Sequence, residues 1–235
     1  PSGKQLSFLA PKDGVMNIWV APVDKPTEAK AITAEKERGI RRYYWAETGE
    51  HVLYLQDKGG DENFHVYSVD VAKGEVKDLT PFEKTQARVE LLSPKHPDEV
   101  LVGVNNRDPK LHDLWRINVK TGKAELVLQN DGGYAGFVTD YDFVPRYAIK
   151  SGEGGSDEVF FVEKAAKAKP AKDKGAADKD AKKDAPAAKL FTKIPYEDTL
   201  TTEVVGFDAS GKTLYALDSR GRDTGALVVA DQKTA

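Results

Sequence analysis

The chain has 235 residues, of which 40% are apolar, and a formal net charge of −3 at pH 7. This apolar content is enough for a core, but no apolar stretch approaches the roughly 18 residues that a membrane span needs. The absence of cysteine excludes disulfides, thiol catalysis and cysteine-based zinc sites.

The charge is distributed unevenly along the chain. Residues 164–189 contain nine lysines and four aspartates, a net charge of +5, so the remainder carries −8. An acidic folded part is a poor partner for the phosphates of nucleic acids. We therefore expect no nucleic-acid partner, and no membrane partner either.

Three short β-rich runs come first along the chain, at 6–9, 17–20 and 30–33, with a turn predicted over 11–14. A clearer unit follows at 49–80, where runs at 51–56, 63–69 and 75–80 carry aromatic and β-branched residues at near-alternate positions. This is the period of a half-buried strand. Glycine-containing turns separate the runs, and residues 41–45 supply a further strand before them. Four short antiparallel strands in a row describe one blade of a β-propeller.

The same order of features recurs along the chain. If the second strand of each unit is taken as the marker, Leu6, Val52, Val100 and Tyr147 are separated by 46, 48 and 47 positions. The next marker, Leu214, follows after 67 positions, or after 42 if the segment 164–188 is left out. Such periods are typical of propeller repeats. The later runs are predicted at 99–104, 114–117, 125–128, 146–150, 158–162, 212–217 and 226–230, with a loop at 105–110 and inner strands at 42–45, 89–92, 138–143 and 204–207.

The fold class predicted is therefore all-β, a β-propeller of four-stranded antiparallel blades of which about four to five are present. We expect residues 1–235 to form one propeller fragment of a longer polypeptide. Residues 164–188 consist only of Ala, Lys, Asp, Pro and Gly, and we expect a disordered, solvated insertion between the third and fourth strands of a blade. A basic tether for an acidic surface is the alternative.

The motifs of several kinds of chemistry are missing. The sequence contains no Gly-x-Ser-x-Gly nucleophile elbow, and its histidines lack metal-ligand spacing. The glycine-rich run at 151–156 precedes a strand rather than a helix, so it is predicted to be a turn and not a phosphate loop. We expect no catalytic residue, no metal and no cofactor in this chain. The histidines are His51, His65, His96 and His112, of which the first two are predicted to be strand residues.

Three polar clusters, each between the second and third strands of a blade, are the candidate site residues. Blade geometry predicts that all three emerge on one face of the disc. One interpretation is structural: the side chains stabilise the turns, and the arginines pair with carboxylates of neighbouring blades. Alternatively, they could face a partner domain or a peptide substrate, because arginine binds carboxylates bidentately. The clusters comprise Asp61, Glu62 and Asn63; Arg107 and Asp108; and Arg220, Arg222 and Asp223.

At these clusters the chain resembles a known family. The runs GGDENFHVYSVD with the LTP that follows, NNRDPKLHDLWRINVKTGK, and GKTLYALDSRGRDTGALV are similar to the propeller domain of prolyl oligopeptidase family serine peptidases. The bacterial acylaminoacyl-peptidase and dipeptidyl-peptidase branch is the most similar. The runs PSGKQLSF and DASGKTLY also resemble, more loosely, the short repeat of TolB-like propellers.

The resemblance implies a seven- or eight-bladed propeller that caps a C-terminal α/β-hydrolase domain with a Ser, Asp and His triad. That domain would lie beyond residue 235, so this chain would be inert while its parent protein would be a serine peptidase. The propeller would admit short peptides and exclude folded proteins. The family branch favours a periplasmic or secreted location over a cytoplasmic one, and the sequence leaves open whether a homo-oligomer forms.

Two alternatives remain. The first is a non-enzymatic TolB-like propeller that binds a protein partner on its disc face. The second is a propeller enzyme with carboxylates converging in the central channel, for which the inner strands offer Glu90, Asp140, Asp142 and Glu203.

Overall fold

The computed structural model describes residues 3–162 and 189–232. Within these ranges the chain consists of 18 β-strands and three short 3-10 turns, with no α-helix. The strands form five antiparallel sheets, three of four strands and two of three. The insertion predicted at 164–188 lies outside the described residues. In the two described stretches, no helix has both the length and the apolarity to cross a membrane.

The chain divides into two compact units, residues 1–129 and residues 130–235. The strands of the first unit are β1 Gln5–Lys12, β2 Val15–Pro22, β3 Lys30–Ala31, β4 Tyr43–Trp45, β5 His51–Gln56, β6 His65–Asp70, β7 Val76–Asp78, β8 Ala87–Leu92, β9 Glu99–Asp108, β10 Leu111–Asn118 and β11 Ala124–Leu128. Those of the second unit are β12 Gly136–Thr139, β13 Pro145–Ser151, β14 Asp157–Phe161, β15 Leu190–Ile194, β16 Glu203–Phe207, β17 Leu214–Asp218 and β18 Ala226–Ala230.

Each sheet is a simple meander, because every strand pairs only with its neighbours in sequence. The sheets are β1-β2-β3, β4-β5-β6-β7 and β8-β9-β10-β11 in the first unit, and β12-β13-β14-β15 and β16-β17-β18 in the second. This is the blade topology that the repeat predicted. β14 and β15, the third and fourth strands of one sheet, pair with each other, and residues 162–189 separate them in sequence.

The sheet β4-β5-β6-β7 is buried on both faces. On β5, Val52 and Tyr54 belong to the apolar cluster shared with the first sheet, which includes Ile18. The residue between them, Leu53, belongs to the cluster shared with the third sheet, which includes Val100. Successive side chains of a strand point to opposite faces of the sheet. A strand with a neighbouring blade on each face therefore needs apolar residues at consecutive positions, and β5 has them at VLYL within HVLYLQ.

Aromatic rings form much of the core of the second unit. Tyr147 on β13 lies with its ring centroid 4.6 Å from that of Phe191 on β15 and 6.0 Å from that of Phe207 on β16. Val159 and Leu214 are fully buried in the same cluster. Residues from both sheets of this unit therefore share one core, as the stacked-blade prediction requires.

The predicted strands at 51–56 and 226–230 are confirmed at both ends. Two predicted loops are wrong in extent, because strands continue into them. β1 runs to Lys12, so only Asp13 and Gly14 form the first turn, with φ of 53° and 84°, the left-handed pair of a two-residue hairpin. β9 runs to Asp108, which places Arg107 on a strand rather than in a loop.

The inner strand predicted at 138–143 is also wrong beyond its first residues. The strand is β12 Gly136–Thr139, and a turn follows. The Asp140 carboxylate accepts hydrogen bonds from the backbone N–H of Asp142 and of Val144, and Phe143 has φ of +60°. Tyr141 and Phe143 stand at alternate positions, which is the pattern of a strand. The Asp140 side chain instead accepts hydrogen bonds from the backbone that follows it, and these bonds stabilise a turn.

Candidate functional site

The first predicted cluster is a tight loop between β5 and β6. Asp61 accepts hydrogen bonds from the backbone N–H (3.0 Å) and the side-chain amide (3.1 Å) of Asn63, and these bonds lower the pKa of Asp61. Glu62 has φ of +60°, and its backbone N–H donates to Asp57 Oδ2 at 3.2 Å. The hydrogen bonds of this cluster therefore stabilise the turn, and Asp61 and Glu62 are exposed at the surface.

The second cluster lies at the β9–β10 hairpin. The Arg107 guanidinium donates two hydrogen bonds, of 3.0 and 2.9 Å, to the two carboxylate oxygens of Asp113. Asp113 is buried on β10, so Arg107 pairs within its own hairpin. This pair lies within one hairpin, whereas the prediction concerned pairs between neighbouring blades. Asp108 accepts a hydrogen bond from the backbone N–H of Lys110.

The third cluster, in the second unit, follows β17. Arg220 donates to both carboxylate oxygens of Asp218 at 2.9 Å, which lowers the pKa of Asp218 and raises that of Arg220. A third bond, of 2.8 Å, reaches the hydroxyl of Thr192 on the neighbouring sheet. Here a contact between blades does occur, but its acceptor is a hydroxyl. Arg222 and Asp223 are exposed.

Gln86 connects the first cluster with Asn105, which lies two residues before Arg107 of the second cluster. Its side-chain amide donates to the Glu62 carbonyl at 3.4 Å, and its backbone N–H donates to the side-chain carbonyl of Asn105 at 2.6 Å. The two hairpin ends are therefore neighbours in the first unit. A role for the three clusters toward a substrate or a partner domain stays a prediction.

A cavity of about 390 Å³ adjoins the first cluster and includes His65, Asp78 and Phe82 in its lining. His65 Nδ1 lies 2.8 Å from Asp78 Oδ2, and the His65 ring stacks on Tyr67, which stacks on Tyr54. Burial, and then the charge of Asp78, raises the pKa of Tyr67 to about 12. His65 is thus a strand residue that covers a sheet face, as predicted.

The surroundings of His112 on β10 disfavour its protonation. Burial, followed by the nearby Arg88 charge, lowers the pKa of His112 to about 4. Its Nε2 atom is buried and has no hydrogen-bond partner among the residues that the structure describes. The ring is therefore neutral near pH 7, and it belongs to the packing of the third sheet.

A larger cavity, of about 500 Å³, lies where β5 ends and the chain enters β4, and it was not predicted. Three arginines line it, all from the segment between β3 and β4. The remaining lining comes from that segment and from the residues at the end of β5 and before β6. The lining residues are Glu37, Arg38, Gly39, Arg41, Arg42, Leu55, Gln56, Asp57 and Phe64. We call this the three-arginine cavity.

Hydrogen bonds fix the segment that carries these arginines, although it forms no regular strand. Asn17, which is 0% exposed, accepts from the Glu35 N–H at 2.8 Å and donates to the Glu35 carbonyl at 3.0 Å. The Ile40 N–H donates to the Met16 carbonyl at 2.9 Å, and the Gln56 amide donates to the Arg38 carbonyl at 2.5 Å. One wall of the cavity is therefore rigid.

The three arginines differ in their surroundings. Arg38 Nε lies 2.9 Å from Asp57 Oδ1, and the Asp57 side chain is only 1% exposed. Arg41 and Arg42 are exposed, and neither guanidinium has a hydrogen bond or ion pair to any residue that the structure describes. Sequence analysis missed this site, although three arginines close together directly before the aromatic run YYW were a visible signal.

Two of the four carboxylates proposed for the central channel pair with neighbouring arginines, and a third, Glu203, is exposed. Glu90 lies 2.5 Å from Arg88 Nε, and Asp140 pairs with Arg146 at 3.0 Å besides organising its turn. Across residues 3–162 and 189–232, no three His, Cys, Asp or Glu side chains form a group that could hold a metal ion.

No protein-family model matches the chain. The chain is 44% identical over 231 residues to dipeptidyl aminopeptidase BIII of Pseudoxanthomonas mexicana, with 98% of the chain and 31% of that protein covered. It is 28% identical over 236 residues to dipeptidyl peptidase family member 6 of Caenorhabditis elegans, with 97% and 30% covered. The chain thus spans about a third of the length of these curated relatives.

Solved structures agree on the fold. Prolyl oligopeptidase B of Galerina marginata matches with a TM-score of 0.59 at 12% identity, over 99% of this chain and 30% of that one. TolB of Acinetobacter baumannii matches with a TM-score of 0.53 at 14% identity, over 98% and 49%. The all-β propeller class is confirmed. The chain is therefore a β-propeller segment homologous to the dipeptidyl peptidases, as the resemblance of its loop motifs to the prolyl oligopeptidase family predicted.

Proposed function

We propose that this chain is the non-catalytic propeller of a serine peptidase that hydrolyses short peptides, and that it restricts which substrates reach a hydrolase domain of the same polypeptide. The observation that carries the proposal is the 44% identity to a dipeptidyl aminopeptidase across 98% of the chain. The match leaves about two thirds of that relative outside this chain, which is room for a separate catalytic domain.

The residues of the chain fit a scaffold rather than a catalyst. Its sequence has no Gly-x-Ser-x-Gly elbow, and its arginine–carboxylate pairs at Arg107 and Arg220 stabilise hairpins. Sheets packed on both faces give a stiff frame, because close-packed interiors resist deformation. A stiff frame suits a filter that passes short peptides and excludes folded proteins.

The catalytic assignment is tested by measuring peptide hydrolysis by two proteins, the purified chain and the longer parent protein. The purified chain should not hydrolyse dipeptide p-nitroanilides, whereas the longer parent protein should, and replacing the serine of its Gly-x-Ser-x-Gly elbow by alanine should abolish the activity. Hydrolysis by the purified chain would overturn the assignment. A parent reading frame without such an elbow would instead favour the TolB-like binding propeller.

Gating is tested separately in the active parent protein. The same cleavable N-terminal sequence is presented either as a short peptide or at the end of a folded protein. We expect kcat/KM to be much lower for the folded protein. Equal values would remove the gating role and leave the peptidase assignment in place.

The location in the periplasm or outside the cell belongs to the same proposal, and it rests on the family branch alone. Cell fractionation with an antibody to the chain checks it. Recovery with a cytoplasmic marker would refute it.

A further inference from the structure

We propose that the three-arginine cavity binds the carboxylate of a short peptide through Arg41 and Arg42. The site itself rests on the geometry of the first unit, and only the choice of a peptide as the ligand rests on the proposed function.

The charges of the lining point to an anionic ligand. Three arginines face two acidic residues, Glu37 and Asp57. Asp57 is already paired with Arg38 at 2.9 Å. Arg41 and Arg42 therefore present two guanidinium groups that no described residue neutralises, in a chain whose net charge is negative. A guanidinium offers paired N–H donors that match the two oxygens of a carboxylate.

The cavity is also built to keep its shape. The Asn17, Met16 and Gln56 hydrogen bonds hold the backbone on either side of Arg38. Gly60 makes room for Arg38, because a Cβ atom there would lie 2.8 Å from Arg38 Nη1, and its φ of +85° also favours glycine. A pre-formed site loses less conformational entropy when a ligand binds.

The apolar part of the lining separates a peptide from a bare anion. Phe64 and Leu55 lie in the same cavity as the arginines, and a volume of about 500 Å³ is within the usual range for small-ligand sites. A ligand that has both a carboxylate and an apolar side chain would contact the arginines and also Leu55 and Phe64. Inorganic phosphate would use only the arginines.

Binding is measured on the purified chain by titration with four blocked tripeptides. Two are acetyl-Ala-Ala-Phe with a free C-terminal carboxylate and its C-terminal amide. The other two are amides with Glu or Gln in the middle position. The first pair tests a terminal carboxylate, and the second tests a side-chain carboxylate. In at least one of the two pairs, the peptide with the carboxylate should bind about tenfold more tightly than the peptide without it. A charge-assisted hydrogen bond accounts for a ratio of this size. Equal affinities within both pairs would overturn the proposal.

The variants locate the site. R41A/R42A should lose the preference for the acid, and R41K/R42K should keep only part of it, because lysine cannot form the bidentate pair. E37Q should tighten binding by removing a competing carboxylate. The matched control is K120A/K123A, which removes two charges of the same unit outside the cavity and should leave affinity unchanged. Amide NMR signals of Gly39 and Gln56 should shift on titration.

Other results would refute the proposal. They are an unchanged acid preference in a folded R41A/R42A chain, an equal loss in K120A/K123A, or phosphate binding as tight as that of the peptide acid. A failure here leaves the peptidase assignment untouched, because no step of the binding assay requires hydrolysis. Conversely, an inactive parent protein would leave measured carboxylate binding standing.

Discussion

The pair between Arg38 and Asp57 gives the most informative test of how the first unit is held together. Arg38→Met keeps most of the aliphatic stem but removes the guanidinium, which lies 2.9 Å from a carboxylate that is 1% exposed. The carboxylate would keep the hydrogen bond from the Glu62 N–H and lose its counter-charge. Removing one partner of a fully buried ion pair costs about 3–5 kcal/mol. Since the Arg38 side chain is 37% exposed, we expect about 2 kcal/mol.

Tryptophan fluorescence during urea unfolding is the appropriate assay. The three tryptophans, Trp19, Trp45 and Trp115, all lie in the first unit, so their emission reports on the unit that contains the pair. The matched control is Lys25→Met, which breaks an ion pair whose side chains are 58% and 59% exposed. That variant should lower the free energy of unfolding by less than about 0.5 kcal/mol.

A double variant tests whether the unpaired charge of Asp57 causes the loss of stability. In R38M/D57N the buried group is neutral, and its amide oxygen can still accept the Glu62 N–H, so part of the lost stability should return. If R38M unfolds within about 0.5 kcal/mol of the wild type, the counter-charge of Asp57 is not what stabilises this loop. If R38M and R38M/D57N are equally unstable, the lost stability does not come from an uncompensated Asp57 charge.

Two further predictions concern pH and the core. The lowered pKa of His112, about 4 against an ordinary 6.5, means that the unfolded chain binds the proton more readily, so stability should fall as the pH drops from about 6.5 to 4. H112F should remove about 1 kcal/mol of that loss, a value reduced for the partly exposed ring, and parallel stability–pH curves for the two proteins would contradict it. In the core, L53A should cost about 3 kcal/mol, because Leu53 is 0% exposed. L200A should cost less than about 0.5 kcal/mol, because Leu200 is 96% exposed, and circular dichroism during urea unfolding compares the two.

Much of the fold could be predicted because a blade is a local object. Within HVLYLQ of β5 the four residues VLYL are apolar because they serve two interfaces, and glycine-containing turns separate the strands. The errors arose where one side chain changed the backbone path. At Asp140 a carboxylate accepts backbone hydrogen bonds and so converts the run DYDF, in which polar and apolar residues alternate as in a strand, into a turn. At Arg107 a buried acid, Asp113, gave a polar residue a reason to remain on the strand.

The candidate site was less predictable, for a different reason. The loop clusters at Asp61, Arg107 and Arg220 could be found because polar residues at hairpin ends are a sequence pattern. The partners of these residues are not part of that pattern. Arg107 and Arg220 bind acids of their own hairpins, and Gln86 links the first cluster with Asn105.

The sequence by itself determined the blade repeat, the all-β class and the resemblance to peptidase propellers, because strand period and turn residues are written in neighbouring positions. Only the tertiary structure decided which arginines are neutralised and which are not. Arg38 and Asp57 are far apart in sequence and meet because β5 returns beside the segment that carries Arg38. Arg41 and Arg42 line the same cavity but form no ion pair with a described acid. Ion pairs depend on distances through space that residue order does not specify.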